Sequence, residues 1–311
     1  MSEELYKTHY SVMYDDCLKA FKEVSEAIAK PIFADMTFGG GGHSLGFAEE
    51  IPNCHMYSVD QDPEAYENGL KLINEKNISD RVFLNKMNFE IFPIWIQENK
   101  PELKFDAILA DLGVSSHHFD KFERGFSFRE DAPLDMRMDV GNDNIYTAAE
   151  VVNEMDEEGL ANLIFKYGEE RLSRRIAKKI VEVRETAPIE TTKQLEELVF
   201  LSYPKSQRHG RIHPATKTFQ ALRIFVNREL EVLENTLQSL YDLLAPGGVL
   251  CIISFHSLED RIAKHKFKEI FQTHKNTAKI ITKKPIYPSE KELTENPRSR
   301  SAKLRILSKL E

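Results

Sequence analysis

The sequence predicts an α/β protein with a mostly parallel sheet and a helical domain inserted into it. From residue 31 to residue 112, short apolar runs alternate with amphipathic segments, and this rhythm is typical of parallel strands joined by helices. The rhythm stops after residue 113 and resumes near residue 217. We therefore assign residues 1–113 and 217–311 to one domain, and residues 114–216 to an inserted, mainly helical domain.

Composition limits the class of protein. The chain has 311 residues and a net charge of −8, so any nucleic-acid binding requires a local basic surface. Its three cysteines lack the spacing of metal ligands or of a disulfide framework, which predicts reduced thiols. No apolar run is long enough to span a membrane, and the first residues do not resemble a signal peptide. We expect a cytoplasmic protein without a membrane partner.

The first half of the chain alternates regularly between predicted strands and helices. An apolar stripe predicts an N-terminal helix over residues 13–29, and an apolar run predicts a strand over 31–38. Four glycines end that strand, and a helix is expected to begin at Ser44. The later elements are a strand at 55–60, a helix at 63–76, a strand at 81–87, a helix at 90–99 and a strand at 105–112.

The glycine run, with Gly41 and Gly42 at its end, predicts a ligand site. Glycines allow a ligand to approach the backbone closely, and the helix that follows presents unpaired N–H groups. Asp60 ends the next strand, twenty residues after Gly40, where an acid can accept both hydroxyls of a ribose. The pattern indicates a ligand that contains adenosine, although a tight turn between strand and helix would also use glycine.

The glycine run lacks the two common phosphate-binding motifs, which argues against a phosphate-containing ligand. Ser44 and Leu45 occupy the third-glycine positions of a dinucleotide fingerprint, and Phe47 stands where a P-loop needs lysine. A glycine loop without phosphate-binding groups suits S-adenosylmethionine, which has a ribose and an adenine but no phosphate.

Two further candidates lie at strand ends, where open α/β sheets bind ligands. Phe89 follows the third strand and could stack on adenine, although a single Phe is more often a core residue. Asp111 closes the apolar fourth strand, and an acid in that position needs a partner or water.

The inserted segment has a different character. Residues 115–139 are predicted to be a long ordered loop rich in aromatic residues and methionine, and residues 145–202 read as helices only. Within 168–186 an apolar stripe is accompanied by cations on other faces, which is the pattern of a solvated helix face: Arg171, Arg174, Arg175, Lys178 and Lys179.

A basic stretch over 203–228 contains six Lys or Arg residues and no Asp or Glu, which predicts a surface that contacts phosphates. A long helix is expected at about 217–243, followed by a strand at 249–255. His256 follows that strand as a site candidate, and Ser257 with Asp260 has the spacing of a capping box. Strands near 278–283 and 303–308 flank a basic loop at 296–301.

Motifs in these stretches resemble the bacterial 16S ribosomal RNA cytosine-N4 methyltransferases of the RsmH (MraW) type. The first group of matches is His9-Tyr-Ser-Val, Asp35-x-Thr-x-Gly-x-Gly-Gly-His-Ser44, Asp60-Gln-Asp-Pro63 and Asp111-Leu-Gly-Val-Ser-Ser116. The second is Glu123-Arg-Gly-Phe-Ser-Phe128, Pro133-Leu-Asp-Met-Arg-Met-Asp139, Gly168-Glu-Glu…Ser173-Arg-Arg-Ile-Ala177, Arg211-Ile-His-Pro-Ala-Thr216, Phe219-Gln-Ala-Leu-Arg-Ile224, Ser254-Phe-His-Ser-Leu-Glu-Asp-Arg261 and Asn296-Pro-Arg-Ser-Arg-Ser-Ala-Lys-Leu-Arg305.

The resemblance implies a Rossmann-like class I methyltransferase sheet, mostly parallel with an antiparallel C-terminal edge strand. It also implies methyl transfer from S-adenosylmethionine to the N4 amine of a cytidine in the decoding centre of the small ribosomal subunit, without a metal. The family's cofactor positions fall on Gly41, Gly42, His43, Asp60, Phe89, Asp111 and His118. The RNA-binding candidates are Arg137, Arg211, His213, His256, Arg298 and Arg300.

Two positions depart from the family pattern: His118 replaces the usual Gln, and Ala132 replaces the usual Gly. Asp111 is the candidate catalytic acceptor, because a carboxylate near the amine could take up its proton. Two alternatives remain open, a dinucleotide-dependent oxidoreductase and a non-catalytic ribosome-assembly factor that binds adenosylmethionine.

Overall fold

A computed structural model describes residues 11–113, 122–142 and 145–310. The strands are β1 (Ile32–Asp35), β2 (His55–Asp60), β3 (Val82–Lys86), β4 (Phe105–Asp111), β5 (Leu244–Ser254), β6 (Ala278–Ile280) and β7 (Lys303–Lys309). The helices before β5 are α1 (Tyr14–Ser25), α2 (Gly42–Glu50), α3 (Pro63–Glu75), α4 (Phe92–Asn99), α5 (Ala148–Glu154), α6 (Glu157–Gly168), α7 (Ser173–Arg184), α8 (Thr192–Ser202), α9 (Thr216–Val226) and α10 (Glu229–Asp242). After β5 come α11 (Ser257–Thr273) and α12 (Glu290–Glu295).

The strands form one sheet in the order β3-β2-β1-β4-β5-β7-β6. β1 to β5 pair in parallel, whereas β7 is antiparallel to both of its neighbours. The predicted class is therefore confirmed: a Rossmann-like class I methyltransferase sheet, mostly parallel, with the C-terminal strand antiparallel near one edge. Only the short β6 lies outside β7.

The first compact unit comprises Met1–Gly113 and Leu230–Glu311. Apolar side chains cover both faces of its sheet, because successive residues of a buried parallel strand point to opposite sides. On β1, Phe33 packs with α1, α2 and α3, whereas Ala34 packs with α4, α10 and α11. This arrangement holds the carboxyl ends of the strands in fixed register.

The second compact unit comprises Val114–Glu229. Helices α5 to α9 share an apolar core, and Phe126, Leu134 and Met136 of the preceding loop are buried in it. The Arg124 guanidinium donates to the carbonyls of Arg137 and Met138, at 2.9 Å each, and ties the loop together. The prediction of an ordered loop is confirmed for its part within residues 122–139.

Several predicted boundaries were wrong. The first strand spans only Ile32–Asp35, and the helix predicted over 168–186 begins at Ser173, after Glu169 in the left-handed region (φ 49°). The long helix predicted at 217–243 is two helices, because Arg228 adopts φ 51° and ends the first. The contacts of the chain place residues 217–229 in the second unit.

The helix cap predicted at Ser257 was also wrong. The N-cap of α11 is His256, whose Nδ1 accepts the Glu259 backbone N–H at 3.4 Å, and the Glu259 carboxylate accepts the His256 N–H at 3.2 Å. A histidine side chain can act as an N-cap because the unprotonated nitrogen of its imidazole accepts a hydrogen bond.

The three cysteines are free and buried. Among residues 11–113, 122–142 and 145–310, no helix combines the length and apolar character needed to cross a membrane.

Candidate active site

The candidate site lies in the first unit, at the carboxyl ends of β1 and β4. These strands are neighbours, and the chain leaves them in opposite directions along the sheet, β1 leading to β2 and β4 lying beside β5. Such a switch point opens a crevice between the two outgoing loops. The loop after β1 holds the glycine run, and Asp111 ends β4.

A buried hydrogen-bond network supports the start of the glycine loop. Asp35 is 1% exposed, and its carboxylate accepts the Ser44 hydroxyl at 2.6 Å and the Thr37 backbone N–H at 3.0 Å. The Ser44 and Ser58 hydroxyls lie 2.8 Å apart, which links α2 to β2. Burial raises the pKa of Asp35, although the hydrogen bonds from Ser44 and Thr37 oppose that rise. The network fixes where α2 begins.

Two positions of the loop have a backbone conformation that favours glycine over residues with a side chain. Gly39 (φ 53°) and Gly41 (φ 80°) both lie in the left-handed region that favours glycine. A Cβ on Gly41 would lie 2.7 Å from the Phe38 ring and 2.8 Å from the Leu45 side chain. Among the described residues, a Cβ on Gly39 would approach only the Thr37 carbonyl oxygen, at 3.9 Å. Gly42 is the first residue of α2.

Asp60 lies against the same loop. One carboxylate oxygen accepts the Gly39 N–H at 2.7 Å, and the other accepts the Asp62 N–H at 2.9 Å. Asp60 and the glycine loop are thus brought together, as predicted for neighbouring parallel strands.

The segment after β3 lies next to the segment after β2. The Asn88 side-chain amide donates to the Gln61 side-chain oxygen at 2.7 Å. Phe89, the next residue, is half-buried and packs on the core that α4 shares. The structure therefore places Phe89 at the predicted strand end, with part of its ring area in the core.

Asp111 and His43 face each other at the centre of the crevice. Asp111 Oδ1 accepts the Gly113 N–H at 3.1 Å, and its own N–H donates to the Thr37 hydroxyl at 2.8 Å. Asp111 Oδ2 lies 3.8 Å from His43 Nδ1. On the other side of the ring, His43 Nε2 lies 3.1 Å from the Val12 carbonyl oxygen.

The Val12 carbonyl sets the tautomer of His43. A carbonyl oxygen only accepts, so Nε2 carries the proton and donates it to Val12. In neutral His43, Nδ1 then presents a lone pair to the Asp111 carboxylate. Burial lowers the pKa of His43, while Asp111 and Val12 oppose that decrease. Burial raises the pKa of Asp111 to about 6, with His43 and the Gly113 N–H acting against it. The pair thus places two basic atoms, His43 Nδ1 and Asp111 Oδ2, in a mostly buried environment.

The RNA-binding candidates divide between the two units. In the second unit, the Arg137 guanidinium pairs with the Asp135 carboxylate through two bonds of 2.8 Å. His213 lies between the rings of Phe128 and Phe200, with centroids at 4.9 and 5.8 Å. Arg211 is exposed.

The remaining candidates lie in the first unit or outside the described residues. Arg298 and Arg300 are exposed on a short 3₁₀ helix over Pro297–Ser301. The His256 side chain is only 11% exposed and caps α11, so most of its surface is already used inside the protein. His118 lies outside the described residues. Ala132 is buried, and its N–H donates to the Thr192 hydroxyl at 3.1 Å.

Sequence reasoning missed the Asp35 network as a functional element. A signal was available, because Asp35 is the one acid within the apolar run over 31–38. The partners Ser44 and Ser58 carry no such signal, since a buried serine is not distinguishable from a surface serine in one sequence.

Comparisons with known proteins give the following matches. Residues 6–310 match the model of the MraW methylase family. A "Ribosomal RNA small subunit methyltransferase H" of Synechococcus elongatus is 51% identical over 281 residues, covering 89% of this chain and 88% of the relative. The protein of that name from Nostoc punctiforme is 49% identical, covering 99% and 96%. The one from Sulfurihydrogenibium is 45% identical, covering 96% and 98%.

Proposed function

The chain belongs to the MraW methylase family, and on that premise we propose that it transfers a methyl group from S-adenosylmethionine to the exocyclic N4 amine of a cytidine. The substrate is the decoding centre of 16S ribosomal RNA, within the small ribosomal subunit in the cytoplasm. The relatives named as small-subunit ribosomal RNA methyltransferases support the RNA class. The motifs shared with cytosine-N4 methyltransferases support the choice of base.

The residues of the crevice suit this cofactor. Within the described residues, the backbone at Gly39 is open to close approach, and no lysine or arginine occurs from Gly39 to Gly46 to pair with phosphates. Asp60 and Asp111 instead offer carboxylates, which accept hydrogen bonds from hydroxyl and amino groups. The residues proposed to hold the cofactor are Gly41, Gly42, His43, Asp60, Phe89, Asp111 and His118.

When bound, S-adenosylmethionine supplies an electrophilic methyl group, so the protein's main task is to align the amine with it. Cytosine N4 is a weak nucleophile, because its lone pair is delocalised into the ring. Asp111 accepts a hydrogen bond from N4 and takes up the proton that N4 loses as the new N–C bond forms. A pKa of about 6 suits a base that works near neutral pH. Nothing in this step requires a metal.

Neutral His43 leaves Asp111 able to accept a hydrogen bond from the substrate. Because Nε2 donates to Val12, the His43 face toward Asp111 holds a lone pair and no proton. His43 therefore does not consume the acceptor capacity of Asp111 Oδ2 while the ring is neutral. After proton transfer, the Nδ1 lone pair, 3.8 Å from Asp111 Oδ2, faces a neutral acid in place of a carboxylate, which removes the electrostatic repulsion between them.

The observation that carries the proposal is this mostly buried carboxylate at the switch point, beside His43, in a chain of this family. No observation favours a dinucleotide-dependent oxidoreductase. A non-catalytic assembly factor would bind adenosylmethionine but would transfer no methyl group.

The test is single-turnover methyl transfer to small subunits purified from cells that lack the protein. We expect Asp111→Asn to slow transfer by about 10² to 10⁴-fold, the usual contribution of acid–base catalysis, with a smaller loss of cofactor affinity. Asp106→Asn is the matched control, because Asp106 lies on the same strand and its carboxylate accepts the Ile32 N–H at 2.8 Å. A near-wild-type rate for Asp111→Asn would reject the catalytic role, and mass mapping of the RNA identifies the methylated base.

A further inference from the structure

A cleft in the second unit combines exposed cations with one apolar side chain. It lies between α7 and the end of α8, has a volume of about 290 Å³, and is lined by Arg175, Lys178, Lys179, Glu182, Leu201 and Ser202. This volume is just below the range of about 300–1,000 Å³ that is typical of small-molecule pockets. A segment of an extended polymer suits such a space better than a whole cofactor.

The charge of the cleft is strongly positive. Arg175 and Lys178 are exposed, and within the described residues neither has an ion pair or a hydrogen bond through its side chain. Only Lys179 is partly neutralised, by Glu182 at 3.3 Å. Three cations and one acid line the cleft, so its net charge is positive although the whole protein has a net charge of −8.

The basic surface continues beyond the cleft. Arg171 and Arg174 are exposed near the start of α7, where the helix dipole adds positive potential, and they also lack partners among the described residues. Lys205 is exposed just after α8, at the start of the stretch without acidic residues. The stripe is thus longer than the single cleft.

Leu201 gives the cleft a second kind of surface. Its side chain is 48% exposed although it lies at the end of an otherwise well-packed helix. A nucleic-acid backbone offers both a phosphate for the cations and a sugar face for an apolar side chain. Arginine in particular binds phosphate through two parallel hydrogen bonds.

We propose that this cleft of the inserted domain binds the phosphate backbone of the RNA substrate, with Arg175 and Lys178 as phosphate ligands. The proposal rests on the proposed function for the identity of the RNA. It assigns a role to the cations of α7, which the sequence alone indicates only as a solvated face. The residues that line the cleft itself lie outside the stretch over 203–228 that the sequence predicts to contact RNA.

The test measures binding of transcribed small-subunit ribosomal RNA as a function of salt. Each phosphate contact contributes about 0.7–0.9 to the slope of log affinity against log salt. We therefore expect Arg175→Ala/Lys178→Ala to reduce that slope by about 1.4–1.8 and to weaken binding at physiological salt. The charge-conserving pair Arg175→Lys/Lys178→Arg should keep most of the slope.

The control is Lys30→Ala/Lys71→Ala, which removes two exposed lysines of the first unit and so changes the net charge equally. An unchanged slope in the cleft variant, or an equal loss in the control, would overturn the cleft proposal. The proposed function fails separately, if wild-type protein binds the RNA but transfers no methyl group to small subunits. Thermal unfolding of each variant confirms folding, since exposed substitutions usually change stability little.

Discussion

Replacing Asp111 by Asn should make the protein more stable at alkaline pH even though it removes the proposed base. The Asp111 carboxylate is mostly buried, and burial is the main reason why its pKa rises to about 6. Asp35 and Glu259 raise the pKa further by charge repulsion, whereas His43 and the Gly113 N–H lower it. In the folded state, the favourable contacts of the ionised carboxylate are therefore weaker than the cost of its burial and of the charge repulsion.

The magnitude follows from linkage between proton binding and folding. Between the ordinary value of 3.8 and about 6, the folded protein binds the Asp111 proton and the unfolded chain does not. Stability from this group is thus complete below pH 3.8 and is lost as the pH rises through 6. At about 1.36 kcal/mol per pH unit, the 2.2-unit difference corresponds to roughly 3 kcal/mol.

Asn has nearly the same shape as protonated Asp and never ionises. We expect Asp111→Asn to match wild-type stability near pH 4 and to exceed it by roughly 3 kcal/mol near pH 8. For a domain of this size that difference is a rise in Tm of about 6–12 °C. Differential scanning calorimetry of both proteins across this pH range measures it.

An opposite-sign control is available at Asp260. Burial alone would raise its pKa, but the hydrogen bond and charge of Arg305 lower it, helped by Lys303. A depressed pKa contributes stability above its unfolded value that is lost as the pH falls, so Asp260→Asn should lower Tm near pH 8. If Asp111→Asn also lowers Tm near pH 8, then Asp111 is stabilised as an ion pair with protonated His43, and the tautomer assigned here is wrong.

Two further predictions concern the glycine loop. Asp60→Ala removes the acceptor of the Gly39 N–H and the proposed ribose acceptor, so adenosylmethionine affinity should fall at least about tenfold, at roughly 1.5–3 kcal/mol per charge-assisted bond. Calorimetric titration tests this with Asp60→Asn, which keeps one acceptor oxygen, and unchanged affinity for Asp60→Ala would reject the ribose assignment. Ser44→Ala leaves Asp35 without its 2.6 Å hydrogen bond in a dry site and should cost about 1–3 kcal/mol in urea unfolding. A loss below about 0.5 kcal/mol would mean that water replaces the hydroxyl.

Much of the fold follows from local sequence patterns. Apolar runs alternating with amphipathic segments predicted the succession of β1 to β4 and their helices along the chain, because parallel strands need a crossover connection between them. Parallel pairing also predicts that Gly41, Asp60 and Asp111 lie at one edge of the sheet, since the carboxyl ends of parallel strands meet there.

Helix ends were less predictable because distant contacts decide them. The break after Val226 is one example: the Asn227 side chain donates to the Met136 carbonyl at 2.8 Å and accepts the Met138 N–H at 2.7 Å. These bonds join residues about ninety positions apart, so no window around residue 227 contains their cause.

By itself, the sequence determined the sheet, the glycine loop and the chemical types of the groups that line the crevice. Only the tertiary structure decided their states: the tautomer of His43 depends on the Val12 carbonyl, and the pKa of Asp111 depends on burial. It also decided that the α7 cations line a cleft with Leu201. The physical reason is that periodicity is a local property of the chain, whereas desolvation and hydrogen-bond partners arise when distant segments pack together.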